Sequence, residues 1–379
     1  MRVGVLHRAS HDAMHGVELG EIEAEVGSFF ELSTHADILA ARARIEESRF
    51  VAILITGGAG YIGAITADVL CQRGHEVVVL DSLELGYRKA VPDSVPLVVA
   101  NVADTEAVAA TVREHNVDAV VHFAAYKAAG ESMANPGKYF GNNVGCSASL
   151  IETLAATGVG RLVFSSTAAV YGTPAYVPVA EDEPLHPESP YGESKLMVER
   201  ILGWYDQTHA LRSVSLRYFN AAGATLDGDR GEDWSQSVNL VPVAIKAAMG
   251  ASDPMRVFGT DYPTPDGTAI RDYIHVIDLA VAHAQALDYL VAGGATTSVN
   301  LGTGNGSSVL DVIGALERAS GVDVPREYAP RRPGDPTAVY ADNTRARQLL
   351  DWTPQYNLDD IVGSAWHWHQ RHPNGYRAS

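Results

Sequence analysis

Cysteine is nearly missing from this chain: only Cys71 and Cys146 occur among 379 residues. Each falls in a helix-like stretch, so a disulfide framework is excluded, both thiols read as packing residues, and a reducing cytosol fits. Positive charge is also scarce, with 28 Lys and Arg against 46 Asp and Glu and a formal charge of -18. That balance repels phosphate backbones and argues against nucleic acid or an anionic membrane as a partner, so any anionic ligand must meet a local basic site. No apolar run approaches the roughly 20 residues of a membrane span, and the N-terminus lacks the basic-then-apolar layout of a secretion signal. A cytoplasmic protein is expected, without a metal site. Internal repeats and low-complexity tracts are missing as well.

What is present is an ordinary globular composition, 46% hydrophobic and 20% charged, with length enough for two domains. Residues 1–50 are mixed acidic and apolar, weakly helical around 36–47, and carry nothing that looks like a site. They read as an N-terminal extension, disordered or upstream of the native start. Val51-Ala-Ile-Leu-Ile-Thr56 then reads as a buried parallel strand. Further strands are expected at 76–80, 96–100, 118–123, 161–165 and 212–216, with helical stretches between most of them. Such alternation predicts an α/β fold, a doubly wound parallel sheet of Rossmann type whose ligands sit beyond the carboxyl ends of the strands. Residues 51–222 would form this nucleotide-binding domain. From about Gly223 the pattern loosens into Gly, Asp and Pro-rich loops, so 223–379 reads mainly as a smaller, interleaved α/β substrate domain, with 298–301 returning to the sheet.

Thr56-Gly-Gly-Ala-Gly-Tyr-Ile-Gly63 follows the first strand and opens a helix. Gly57, Gly60 and Gly63 have the spacing that lets a backbone approach a pyrophosphate at a helix N-terminus, although alone the pattern also describes a tight strand-to-helix turn. Asp81 ends the second strand, where a carboxylate can accept from an adenosine ribose diol and would repel the 2′-phosphate of NADP. Strand, glycines, helix, strand and acid in that order predict NAD.

Tyr191 and Lys195 stand at i and i+4 in Ser189-Pro-Tyr-Gly-Glu-Ser-Lys195, on one face of a helix whose start Pro190 marks. A phenol is a poor base at neutral pH, and a nearby ammonium together with a cationic nicotinamide would favour its phenolate. Taken alone, the pair also describes an exposed helix face; its place after the fifth strand favours an acid/base role for Tyr191. Thr167, just beyond Phe164-Ser-Ser166, offers a hydroxyl to relay or orient the proton.

These residues resemble the extended short-chain dehydrogenase/reductase family, and more narrowly its UDP-galactose 4-epimerases, from Val51 to about Tyr376. The landmarks are TGGAGYIG, HFAAYKAAGES, NNV, FSSTAAVYG, SPYGESKLMVE, LRYFNAAGA, RDYIHVIDLA and PRRPGDP. The resemblance implies Thr167, Tyr191 and Lys195 as catalytic residues, with Thr167 replacing a Ser common in the family. It implies a cofactor site made of Gly57, Gly60, Tyr61, Ile62, Gly63, Asp81, Asn101, Val102, Phe123, Ala124, Lys127, Asn142, Tyr191, Lys195 and Tyr218. Asn101 departs from a frequent Asp, but its side-chain carbonyl still accepts from an adenine amine. For a UDP-hexose substrate the resemblance implies Lys127, Thr167, Asn220, Asn239, Arg271, Arg332 and Asp335. Two guanidiniums suit a diphosphate, while Arg331 and Arg332 in a Pro-rich loop also read as solvated charge. A homodimer is a further family expectation.

The implied reaction oxidises carbon 4 of the sugar to a ketone and reduces it from the opposite face, interconverting UDP-glucose and UDP-galactose. Four residues after Asp335, hexose-restricted relatives often carry a bulky Tyr; Val339 here leaves room for an N-acetyl group, unless a one-residue shift puts Tyr340 in its place. Two other readings remain. A nucleotide-sugar 4,6-dehydratase would need the Asp-Glu pair that Ala168 and Ala169 replace, and a non-catalytic dinucleotide-binding regulator would have no use for Thr167, Tyr191 and Lys195 together.

Overall fold

Strand β1 (Ala52–Thr56) shows how the sequence builds its sheet. Ile53 and Ile55 face one helical layer and Leu54 the other, all three fully buried. A strand covered on both faces needs such a continuous apolar run rather than an alternating one. The same rule applies to β2 (Glu76–Asp81), β4 (Ala119–His122) and β5 (Arg161–Ser165), with β3 (Leu97–Val99) as a half-exposed edge. With β6 (Arg212–Tyr218) and the strand Thr297–Leu301 they make one seven-stranded parallel sheet. From one edge it runs Thr297–Leu301, β6, β5, β4, β1, β2, β3. The order reverses between β1 and β4, which opens a crevice at their carboxyl ends. This computed structural model describes residues 51–377 apart from Gln236 and Pro333; the expectation for 1–50 lies outside the described residues.

Helices Tyr61–Gln72 and Val276–Val291 pack together on one face of the sheet, burying Ala67, Leu70, Leu279 and Leu287. Thr105–Glu114, Ser147–Thr157 and Pro190–His209 cover the other with Val108, Leu150, Leu154, Val198 and Leu202. A separate core joins helices Leu240–Ala248, Val309–Ser320 and Leu358–Arg371 around Ile245, Leu316, Ile361 and Trp234. Short strand pairs hold this second core beside the sheet's carboxyl edge. Asn220–Ala222 runs parallel to Tyr273–His275, and Ala338–Val339 runs parallel to Ile270–Arg271. Segments after residue 222 therefore alternate between the second core and the sheet. No helix among the described residues is long and apolar enough to cross a membrane.

Candidate active site

The glycine turn after β1 is shaped by close approach. A Cβ on Gly57, whose φ is +74°, would lie 2.5 Å from the Ala124 amide nitrogen; one on Gly63 would lie 2.5 Å from the Gly57 carbonyl oxygen. Only hydrogen fits at either place. The turn leads into the N-terminus of the Tyr61–Gln72 helix, and no side chain caps that end. Asp81, at the carboxyl end of β2, accepts from the Ala59 amide at 2.9 Å and from the Leu83 amide at 2.8 Å, which ties the second strand to the turn.

A cavity of about 830 Å³ extends from this turn. Gly57, Gly60, Tyr61, Ile62 and Gly63 line it at the helix N-terminus, and Asp81, Asn101 and Val102 line it at the ends of β2 and β3. Phe123, Ala124, Lys127 and Asn142 continue the wall to Tyr191, Lys195 and Tyr218. One lone pair of the Asn101 carbonyl is already used, accepting from the Ala103 amide at 2.9 Å. Asn142 belongs to a π-helical turn, Phe140–Cys146, a local widening often found at working sites. Its neighbour Asn143 is fully buried and holds both the amide and the carbonyl of Tyr126, at 2.9 and 3.0 Å, so it fixes the segment that carries Lys127.

Pro190 opens the Pro190–His209 helix at its first position, and the Ser189 hydroxyl caps it by accepting from the Gly192 amide at 3.1 Å. Tyr191 and Lys195 then lie one turn apart. The Lys195 ammonium donates to the Ser165 carbonyl at 2.8 Å and lies over the Phe164 ring. Burial pushes its pKa down to about 7 against the opposing pull of the Glu199 carboxylate. Burial raises the Tyr191 phenol above its ordinary value, and a hydrogen bond with Thr167 works the other way. Tyr218 is raised by burial and by Tyr191, and its hydroxyl meets that of Ser165.

A second cavity of about 970 Å³ meets the first at Tyr61, Ile62, Lys127, Tyr191 and Tyr218. Thr167, Asn220, Asn239, Arg271, Arg332 and Asp335 all line it. Arg271 is ion-paired with Asp335, and the Arg332 guanidinium lies 4.0 Å from the centre of the Phe258 ring. The two adjacent arginines are thus separated: Arg331 turns to Asp261 at 2.7 Å, while Arg332 faces the cavity. Val339 does not line either cavity; it packs beside Ala168 and Phe219 on the cluster of Val170, Tyr171, Val179 and Leu196. Tyr340 instead lies against Gly306.

Several lining residues had no signal in the sequence. Glu232 lines the first cavity and accepts from Lys127 at 3.0 Å, from Ser237 at 3.0 Å and from Asn239 at 3.1 Å. Tyr87 also lines the first cavity, stacked at 5.4 Å on Tyr376, which together with Arg377 reaches it from the far end of the chain.

The chain matches, over residues 54–365, a family model described as GDP-mannose 4,6 dehydratase. It is 46% identical over 329 residues to a UDP-glucose 4-epimerase of Streptococcus mutans, covering 86% of this chain and 99% of that one. Among solved structures it is similar to the UDP-glucose 4-epimerase of Stenotrophomonas maltophila crystallised with NAD and formylated UDP-arabinopyranose. That likeness has a TM-score of 0.83 at 40% identity and covers 85% of this chain and 99% of the other. A UDP-Glc/GlcNAc 4-epimerase from Campylobacter jejuni aligns with a TM-score of 0.76 at 42% identity over 85% of this chain and 99% of its own. With its parallel sheet, its glycine turn and its Tyr191–Lys195 helix, the chain belongs to the extended short-chain dehydrogenase/reductase family, among the UDP-glucose 4-epimerases.

Proposed function

We propose that the chain is an NAD-dependent 4-epimerase that interconverts UDP-glucose and UDP-galactose through a 4-keto sugar. One observation carries the reading: Lys195 opens onto the first cavity, Thr167 onto the second, and Tyr191 onto both. NAD fits the first cavity because Gly57 and Gly63 leave a cradle that a Cβ would fill, and because Asp81 stands where a ribose diol needs an acceptor. When bound, NAD supplies the acceptor for hydride from carbon 4 and returns it to the opposite face.

Tyr191 takes the 4-hydroxyl proton and gives it back after the sugar has turned, with Thr167 orienting the exchange. Lys195, when protonated, offsets the cost of ionising a phenol that burial makes reluctant to ionise. Asn220, Asn239, Arg271 and Arg332 hold the diphosphate end of the substrate, Asp335 takes the uridine ribose, and Lys127 faces cofactor and substrate where the two cavities meet. Binding free energy concentrated on the nucleotide leaves the hexose free to rotate between the two hydride transfers. The dehydratase reading fails at Ala168 and Ala169, which provide no acid for eliminating water.

In this reading 51–222 forms the NAD-binding domain and 223–379 mainly the UDP-sugar domain, with residues 298–301 lent to the sheet. Residues 1–50 take no part. The protein works in the cytoplasm as a homodimer, and the expectation that Val339 leaves room for the N-acetyl sugars is corrected, because its side chain packs beside Ala168 and Phe219 and lines neither cavity. The deciding experiment incubates purified protein with UDP-galactose and no added NAD. UDP-glucose should accumulate to an equilibrium mixture; UDP-galactose recovered unchanged would overturn the proposal.

A further inference from the structure

Below the floor of the site lies a buried ion pair that touches neither cavity. Arg217, the residue before Tyr218 on β6, points into the layer opposite to Tyr218. It donates through Nε to Glu199 Oε1 at 3.0 Å and through a terminal nitrogen to Oε2 at 2.6 Å, with the two side chains only 5% and 7% exposed. Burying two charges gives little net stability compared with a well-packed apolar pair, so the arrangement calls for another reason. The remaining contacts supply one. Glu199 Oε1 also accepts from the Ser166 hydroxyl at 2.5 Å. The other terminal nitrogen of Arg217 donates to the Tyr171 hydroxyl at 2.9 Å, which in turn donates to Asn300 at 2.7 Å.

Ser166 and Tyr171 bracket the short turn that starts with Thr167 and continues through the 3-10 segment Ala168–Val170. Glu199 in turn belongs to the Pro190–His209 helix, one turn beyond Lys195 and two beyond Tyr191, on the same face. We propose that the Glu199–Arg217 pair is a positioning device that clamps the Thr167 turn at both ends to the helix bearing Tyr191, so that proton transfer depends on it. This rests on the epimerase reading given above. None of Ser166, Tyr171, Glu199 and Arg217 lines either cavity, so each acts through Thr167 and Tyr191 and not on the sugar.

The cleanest test leaves the ion pair intact and removes its two handles on the turn, as the double variant Ser166→Ala, Tyr171→Phe. A misplacement of about 1 Å costs on the order of 100-fold in rate, so kcat should fall at least about tenfold, with KM for UDP-galactose and NAD content close to wild type. Amide hydrogen exchange should quicken over residues 166–171 while the 190–209 helix keeps its protection. In a second pair of variants, Arg217→Lys should recover part of the kcat that Arg217→Met loses, since a cation still faces Glu199. Unchanged kcat and exchange in the double variant would overturn the device, as would a loss of rate matched by a loss of NAD. If the wild type does not epimerise UDP-galactose the functional reading falls, whereas the exchange comparison still decides whether the turn is clamped.

Discussion

One helical turn separates a phenol that burial makes harder to ionise, Tyr191, from a lysine that burial makes easier to discharge, Lys195. Tyr191→Phe removes only the hydroxyl proposed to transfer the proton. Turnover should fall at least about 100-fold with NAD still bound, and near-normal turnover would mean that another group is the base. Lys195 makes a pH-dependent claim. Its folded-state pKa of about 7 lies below the unfolded value near 10.4, so between those limits the unfolded chain binds more protons and stability rises with pH. The penalty is fully present below pH 7. In cofactor-free protein, Lys195→Met should therefore be more stable than wild type at pH 6 by denaturant titration, and the advantage should shrink toward pH 10. A difference that does not change with pH would show that the ammonium is not desolvated.

At the scale of elements, the strand-turn-helix unit at 52–72 has its ligand-binding shape written into consecutive residues. Gly63→Ala places a methyl 2.5 Å from the Gly57 carbonyl oxygen and 2.8 Å from Gly58 Cα, both backbone atoms that cannot swing aside. NAD recovered with the purified variant, quantified after denaturation, should drop severalfold; full retention would mean that the turn opens without cost. Such units were legible because strand run, glycine spacing, Pro190 and the Tyr191–Lys195 step are all local patterns, and β1, β2 and β5 fall within a residue or two of where the apolar runs placed them. Glu232 was not legible, since it meets Lys127 from 105 residues away in a loop without periodicity. The same holds for Tyr376, whose hydroxyl meets the Gly231 amide at a separation of 145 residues. The strand Ala338–Val339 gives a third test at this scale. Its register sets Val339 opposite Arg271, with its side chain on the cluster beside Ala168 and Phe219. Val339 lines neither cavity, so a larger side chain there reaches the sugar only by displacing Phe219, which does line the second, and Val339→Tyr should change epimerisation of UDP-galactose and UDP-N-acetylgalactosamine by the same factor. Selective loss of the N-acetyl activity would instead put the residue in the sugar pocket.

Across the whole molecule, a net charge of -18 keeps copies apart at long range, so association between two of them has to come from a local apolar contact that outweighs the repulsion. Trp204 offers one. It is 65% exposed on the Pro190–His209 helix, whose inner face is held by Val198 and Leu202 in the core and whose Tyr205 bonds to Glu152 on the neighbouring Ser147–Thr157 helix at 2.5 Å. Two helices tied together in this way present a firm surface, and a large aromatic on such a surface is the residue type that dominates association when it is buried. Pairing two copies about a twofold axis through these helices would cover Trp204 on both at once. Trp204→Glu adds a charge at that exposed point, where burial without a partner is costly. Light scattering at micromolar concentration should show a dimer for the wild type and a monomer for the variant, with the thermal midpoint of the monomer lowered by the lost contact. A wild type that is monomeric under the same conditions, or a variant that stays dimeric, would place the contact elsewhere or remove it.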